Sequence, residues 1–303
     1  MTKPLAISVI IPAFNAEKTL EFAIDSALNQ TYPATQIIVV DNNSTDKTVE
    51  IARKFGARIL IVNCQEQGVS KARNYGVEVS TCEYIAFLDS DDAWFPEKLR
   101  KQVALIHSAK GELCIFGTYA NFRIGDRKIG NSIVSSDDTL ARRNFVEFGQ
   151  LPCMTSSWII EKRYYVEIGG LSGNFKMAED FELACKLVKK GFNFRIVREP
   201  LIDYRIEEGS ITHRDYIQQY LLAKYFNAHY FGSSHKEEFR DFLSRIKPFS
   251  RIWLDAHVNR FIRQSMVHFG GRKFTRSVSY LILALLINPK ITFLKAKRQF
   301  NWR

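Results

Sequence analysis

Four short apolar runs, Ala6–Ile11, Gln36–Val40, Arg58–Val62 and Glu83–Leu88, are each bounded by turn residues and separated by segments of helical periodicity. Runs of this length and β-branched character suit strands buried on both faces. Between them, Ala16–Gln30, Asp46–Phe55 and Val69–Val79 repeat apolar residues at helical spacing, as in Leu20, Ala23, Ile24, Ala27 and Leu28. Strand and helix alternating three times predict an α/β fold whose central sheet is mostly parallel, with right-handed crossovers. Ligands of such sheets bind beyond the carboxyl ends of the strands. The residues just after each run are therefore the first place to look for function.

Further along, Pro96–His107 reads as a helix with proline in its first turn, and Leu113–Tyr119 as a strand. Ala120–Ser136 reads as a hairpin or loop with Gly-Asp and Gly-Asn turn signals. Ser156–Ile160 and Asn193–Val197 read as further strands, with a helix over Ala178–Lys190 ending at Gly191. From Asp215 the pattern is helical to the end. The 303 residues are 46% hydrophobic and 25% charged, which excludes a disordered or fibrous chain. No stretch reaches the roughly 18 apolar residues of a spanning helix. Five scattered cysteines form no C-x-x-C pair and read as reduced thiols. With the short apolar run before Pro12 too brief for a signal peptide, a cytoplasmic location is expected.

Charge is unevenly placed. From Ser244 to Arg303 thirteen Lys and Arg face the single acid Asp255, a net +12, so the rest of the chain sums to −1 within the overall +11. An acidic partner would bind there. No nucleic-acid recognition motif accompanies it.

Three polar strand ends stand out. Leu88-Asp89-Ser90-Asp91-Asp92 places three carboxylates within four residues. Clustered carboxylates suit a hard cation such as Mg²⁺ or Mn²⁺ held with substrate phosphates, or an acidic turn capping the next helix. Asp41-Asn42-Asn43-Ser44-Thr45-Asp46 is an Asx-rich turn, and Pro12-Ala13-Phe14-Asn15 follows the first strand. All three should share one sheet edge and outline one pocket.

SVIIPAFNAEKTL, SALNQTYP, IIVVDNNSTDKT, QGVSKARNYGV and EYIAFLDSDDAWFPEKL, in that order, resemble family 2 glycosyltransferases of the GT-A fold. WIIEKRYYVEIGGL, AEDFEL and IDYRIEEGSI extend the resemblance to about residue 212. It implies a catalytic domain over 1–212, with a donor half at about 1–110 and an acceptor half at about 111–212. A basic helical region over 213–303 lies outside it. The implied reaction is inverting, metal-dependent transfer from a nucleotide-diphosphate sugar to a glycan or lipid-linked acceptor in cell-surface polysaccharide assembly.

Carried over by position, Pro12, Ala13, Asn15 and Glu17 match the nucleoside loop, with Asp41 and Asn42 beside it. Asp89 and Ser90 match the donor-facing part of an Asp-x-Asp motif, and Asp91 its metal ligand. Arg73 and Arg205 match arginines near the diphosphate. Asp180 matches the base that takes the acceptor proton, and its helix N-terminus is expected to hold it ionised. Glu179 and Trp158 are candidates for acceptor contact, as are Trp94 and Phe175 for sugar stacking. Asn42 stands where the family often has an aspartate toward the uracil N3 hydrogen, its amide oxygen remaining an acceptor. A UDP- or dTDP-sugar is the expected donor. Glu207 replaces a frequent histidine, and none of the six histidines has metal-ligand spacing.

A sugar nucleotidyltransferase and a non-catalytic nucleotide-sugar binding module are the competing readings. The absence of glycine from PAFNAEKTL argues against the first, and the retention of Asp91 and Asp180 against the second. Residues 272–303 mix basic with apolar side chains, which suits either a helix on an anionic membrane surface, at the inner face of the cell membrane, or packing against the catalytic domain or a second subunit.

Overall fold

The computed structural model describes residues 4–132, 137–175, 177–206, 216–232, 238–244, 246, 251–270, 274–287 and 292. It divides into two compact units, one of residues 1–121 and 131–204, the other of 122–130 and 205–303. Glu207, His213, Arg272 and the tail residues from 288 on, except Thr292, lie outside the described residues.

The first unit is built on four parallel strands, β1 (Ile7–Ala13), β2 (Gln36–Asp41), β3 (Leu60–Asn63) and β4 (Tyr84–Phe87), in the order β3-β2-β1-β4. Every residue of β1 and of β4 is buried, which is why these runs are apolar without alternation. The crossovers are α1 (Leu20–Leu28), α2 (Thr48–Arg53) and α3 (Val69–Val79). α1 buries Leu20, Ala23, Ile24 and Ala27, the stripe read from the sequence. α3 approaches the sheet so closely at Gly76 that a Cβ there would meet Ile10 Cγ2 at 2.4 Å and Val40 Cγ2 at 3.0 Å. Only glycine allows that approach.

Beyond β4 the sheet is mixed: β8 (Ile159–Glu161) pairs antiparallel with β4 and with β6 (Cys114–Ile124), β9 (Asn193–Arg205) lies next to β6, and the two-residue β5 (Ala93–Trp94) pairs antiparallel with β9. β7 (Arg127–Asn131) pairs with β6 across a Gly125–Asp126 turn, so the segment from Ala120 is the second half of a long strand and its hairpin arm, of which residues 122–130 belong to the second unit. A 3-10 turn over Thr155–Ser157 precedes β8, where a strand was expected from Ser156. Helices α4 (Lys98–Ser108), α5 (Asp138–Phe148), α6 (Lys162–Glu167) and α7 (Glu179–Lys189) complete this unit. α5 and α6 had not been anticipated. α5 is marked by its ends, with Asp137 accepting from the Thr139 N–H (2.9 Å) and Gly149 closing it in the left-handed region.

The second unit contains α8 (Tyr216–Phe231), α9 (Phe239–Ser244), α10 (Arg251–Gly270) and α11 (Phe274–Ile287). Val258, Ile262 and Ala284 form the core between α10 and α11. Ser277 Oγ donates to the Ser265 carbonyl at 2.8 Å beside them. Along α11, Val278, Ile282, Leu283, Leu285 and Leu286 are exposed.

Candidate active site

The ends of β1, β2 and β4 are neighbours because those strands are paired in parallel. The loops after β1 and β2 clasp one another. Thr45 donates its N–H to Asn15 Oδ1 (2.8 Å) and Asn15 donates its own to Ser44 Oγ (3.0 Å). Ala16 N–H reaches Thr48 Oγ1 (2.7 Å), Glu17 N–H reaches Asp46 Oδ2 (3.0 Å), and Lys47 N–H returns to Glu17 Oε2 (3.2 Å). The side chains of Asn15 and Glu17 thus shape the loop pair. Pro12 and Ala13 lie beneath them as the buried end of β1.

Asp41 and Asn42 are 4% and 5% exposed. Asp41 Oδ2 accepts from Asn63 Nδ2 (3.0 Å) and Oδ1 from the Ser44 N–H (3.3 Å). Asn42 Nδ2 donates to the carbonyls of Cys64 (3.0 Å) and Glu66 (2.7 Å), and its Oδ1 accepts from the Gly68 N–H (2.7 Å). Its oxygen keeps one lone pair, while both amide hydrogens hold the loop that leads to α3. Gly68, at φ +127°, starts α3 in a conformation that side chains rarely adopt.

α3 carries Arg73, whose side chain is 3% exposed. Its Nη2 donates to Asp89 Oδ1 (2.5 Å) and its Nη1 to Glu179 Oε1 (2.8 Å). One cation therefore joins the end of β4 to the start of α7, and the two carboxylates hold it charged. Asp89 is further placed by its N–H bond to Ser156 Oγ (3.0 Å), and the indole of Trp94 donates to the Ser156 carbonyl (2.8 Å). Ser156 had escaped notice because it lies in a run that reads as a strand. Ser90 and Asp91 follow Asp89, both half-buried, and Asp92 is buried.

Asp180 lies deep in protein while part of it still meets solvent. Burial first, then the charge of Glu179, raise its carboxyl to about 7, against the opposing pull of the Phe181 N–H (2.7 Å) and of Arg73. Burial thus works against the ionisation expected from the helix N-terminus. Ala178, two residues before Asp180, takes φ +59°, which a residue with a Cβ adopts only at a cost.

Two further expectations change. Trp158 is fully buried, its indole donating to the Cys153 carbonyl (3.2 Å), so it belongs to the core and cannot stack on an acceptor. Trp94 is 4% exposed and likewise a core residue. Glu179 is committed to Arg73, and Phe175 is half-buried. Arg205 ends β9 within the second unit.

Among the described residues no group of three His, Cys, Asp or Glu converges as a preformed metal cage. The half-buried carboxylate Asp91 remains a suitable single hard-oxygen donor, because Mg²⁺ and Mn²⁺ need only one or two protein carboxylates when phosphates complete the shell. The donor set fits such an ion.

Residues 8–169 match glycosyl transferase family 2. The chain is 31% identical over 210 residues to the Escherichia coli UDP-Glc:alpha-D-GlcNAc-diphosphoundecaprenol beta-1,3-glucosyltransferase WfaP, covering 68% of this chain and 79% of that one. It is 31% identical over 215 residues to the putative teichuronic acid biosynthesis glycosyltransferase TuaG of Bacillus subtilis, covering 69% and 82%. The crystal structure of S. aureus TarS 1–349 in complex with UDP-GlcNAc superposes with a TM-score of 0.59 at 16% identity, over 91% of this chain and 90% of that one. At that identity the likeness speaks for the fold.

Proposed function

The chain belongs to glycosyl transferase family 2 and has its GT-A fold, and from that premise we propose that it inverts the anomeric carbon while moving a sugar from a UDP-sugar to a lipid-linked glycan in cell-surface polysaccharide assembly. The observation that carries the reading is the convergence of Asp89 and Glu179 on Arg73, with Asp180 adjoining and poised near neutrality. The clasped loops after β1 and β2 seat the nucleoside, with Asp41 and the remaining lone pair of Asn42 Oδ1 toward the base. Asp89 and Ser90 face the ribose and sugar. Asp180 takes the acceptor hydroxyl's proton as its oxygen attacks the anomeric carbon opposite the departing diphosphate. Asp91 would hold the divalent ion, which supplies neutralisation of charge on the leaving group.

The named donor of the similar Escherichia coli enzyme and the ligand of TarS favour uridine over thymidine, and the former's diphosphoundecaprenol acceptor favours a lipid-linked glycan. The test is release of free nucleotide from a panel of UDP-, dTDP- and GDP-sugars, with and without a diphosphoundecaprenol-linked acceptor. A UDP-sugar should turn over fastest and only fully with the acceptor. Preference for a GDP-sugar would overturn the donor assignment, and silence across the panel the function.

The second unit supports a membrane-surface role over packing against a second subunit. No helix among the described residues is long and apolar enough to cross a bilayer. The exposed Val278, Ile282, Leu283, Leu285 and Leu286 of α11 lie within the stretch whose net charge is +12. Apolar side chains set among basic ones suit insertion at the lipid headgroup level, and each basic residue near an anionic leaflet contributes about 1 kcal/mol. In flotation, the protein should rise with phosphatidylglycerol-containing vesicles, stay down with neutral ones, and weaken as salt screens the charge. Truncation after residue 271 should abolish binding; equal flotation of both forms would refute the role.

A further inference from the structure

Arg73 spans a large sequence distance with one guanidinium, from Asp89 at the end of β4 to Glu179, the first residue of α7. Two of its nitrogens are committed to carboxylates, and Nε is buried with no hydrogen-bond partner among the described residues. With the side chain 3% exposed, a diphosphate reaching this cation would have to displace a carboxylate and enter the protein. We propose that Arg73 is a positioning residue, not a diphosphate ligand: by tying Glu179 to Asp89 it fixes the first turn of α7 and so the place of Asp180 relative to the donor seat. The proposal rests on the reading of this site as a glycosyltransferase centre.

The start of α7 needs such a tie. Ala178 enters the helix in the left-handed region, a conformation disfavoured for any residue with a Cβ, so the turn does not hold itself. Asp180 Oδ1 accepts from the N–H of its own neighbour Phe181 (2.7 Å), a bond that does not fix it to the sheet. Glu179, one residue before Asp180, has its link to the sheet edge through Arg73. Arginine suits the task, since its planar fork meets two carboxylates at fixed angles and a lysine ammonium does not.

The variants Arg73→Met, Arg73→Lys, Glu179→Gln and the double Arg73→Met/Glu179→Gln decide it, each assayed for kcat on the preferred nucleotide sugar and for UDP affinity by calorimetry. A displacement of about 1 Å costs on the order of 10²-fold in rate. Arg73→Met should therefore lose about that much in kcat, with UDP affinity held within about threefold. Glu179→Gln should lose roughly tenfold, and the double variant should be no worse than Arg73→Met, because both substitutions break one link. Arg73→Lys should recover only part of the rate. Loss of UDP affinity in step with kcat would make Arg73 a phosphate ligand and overturn the proposal, as would losses that multiply in the double variant. Should Arg73→Met not fold, Glu179→Gln decides alone: a lower kcat at unchanged UDP affinity upholds the tie, and an unchanged kcat rejects it. A parent protein inactive on every nucleotide sugar would sink the reading of the site, whereas an active parent with unaffected variants would sink the positioning role only.

Discussion

Asp180→Asn is expected to slow sugar transfer by about 10²–10⁴-fold, the usual contribution of a positioned base, while UDP affinity stays unchanged and the fold becomes more stable above neutral pH. The amide keeps the shape of the carboxyl and has no basicity. Stability moves the other way because Asp180 is buried: its carboxyl is raised from 3.8 to about 7. Between those values the folded protein binds more protons than the unfolded chain, so stability falls as pH rises through the interval, and the cost is complete above about 7. Asparagine avoids that cost. The solvent that still reaches the carboxyl reduces the gain. Thermal melts at pH 5 and pH 8 test this, with the larger gain expected at pH 8. A variant melting like the parent at both, or losing UDP affinity as fast as rate, would show that Asp180 is not a buried base.

Asp91→Ala is expected to reduce transfer by at least about 10²-fold, the scale seen when one stabiliser of developing negative charge is removed. Excess EDTA should have the same effect on the parent, and Mn²⁺ added back should restore it. A readout independent of turnover is Mn²⁺ binding in the presence of UDP, which should be lost in the variant while the melting temperature stays close to the parent's. Full turnover in EDTA would remove the metal from the reaction. Metal binding undiminished in Asp91→Ala would move the ligand elsewhere.

The parallel half of the sheet was legible because β1, β2 and β4 are buried on both faces and α1 carries one apolar stripe, although β3, at the sheet edge, leaves Leu60 exposed. α3 was expected over Val69–Val79 and occupies those residues. α5 was not, since Ala141 and Phe145 are its buried residues among those described, too few to set a period. The candidate site was legible as a list of positions and not as a set of partners. Arg73 lies 106 residues from Glu179 and 16 from Asp89, and nothing local to any of them signals the bridge. Asn42 read as a base contact, yet both of its amide hydrogens are spent on the carbonyls of Cys64 and Glu66. The same limit explains Trp158, whose aromatic ring suits a sugar or a core equally until burial is known. It explains Asp180 as well: a helix N-terminus can be read from sequence, and the burial that opposes ionisation there cannot.

The reciprocal bonds between the loops after β1 and β2 bear on any attempt to redesign donor choice. Asn15 is held by Ser44 and Thr45, Ala16 by Thr48, and Glu17 exchanges bonds with Asp46 and Lys47. Grafting the Pro12–Glu17 loop from a relative with another nucleotide preference, without residues 41–48 of the same relative, would strand half of each exchange. The two loops are a single transplantable cassette, and substitutions in one should be inherited together with their counterparts in the other.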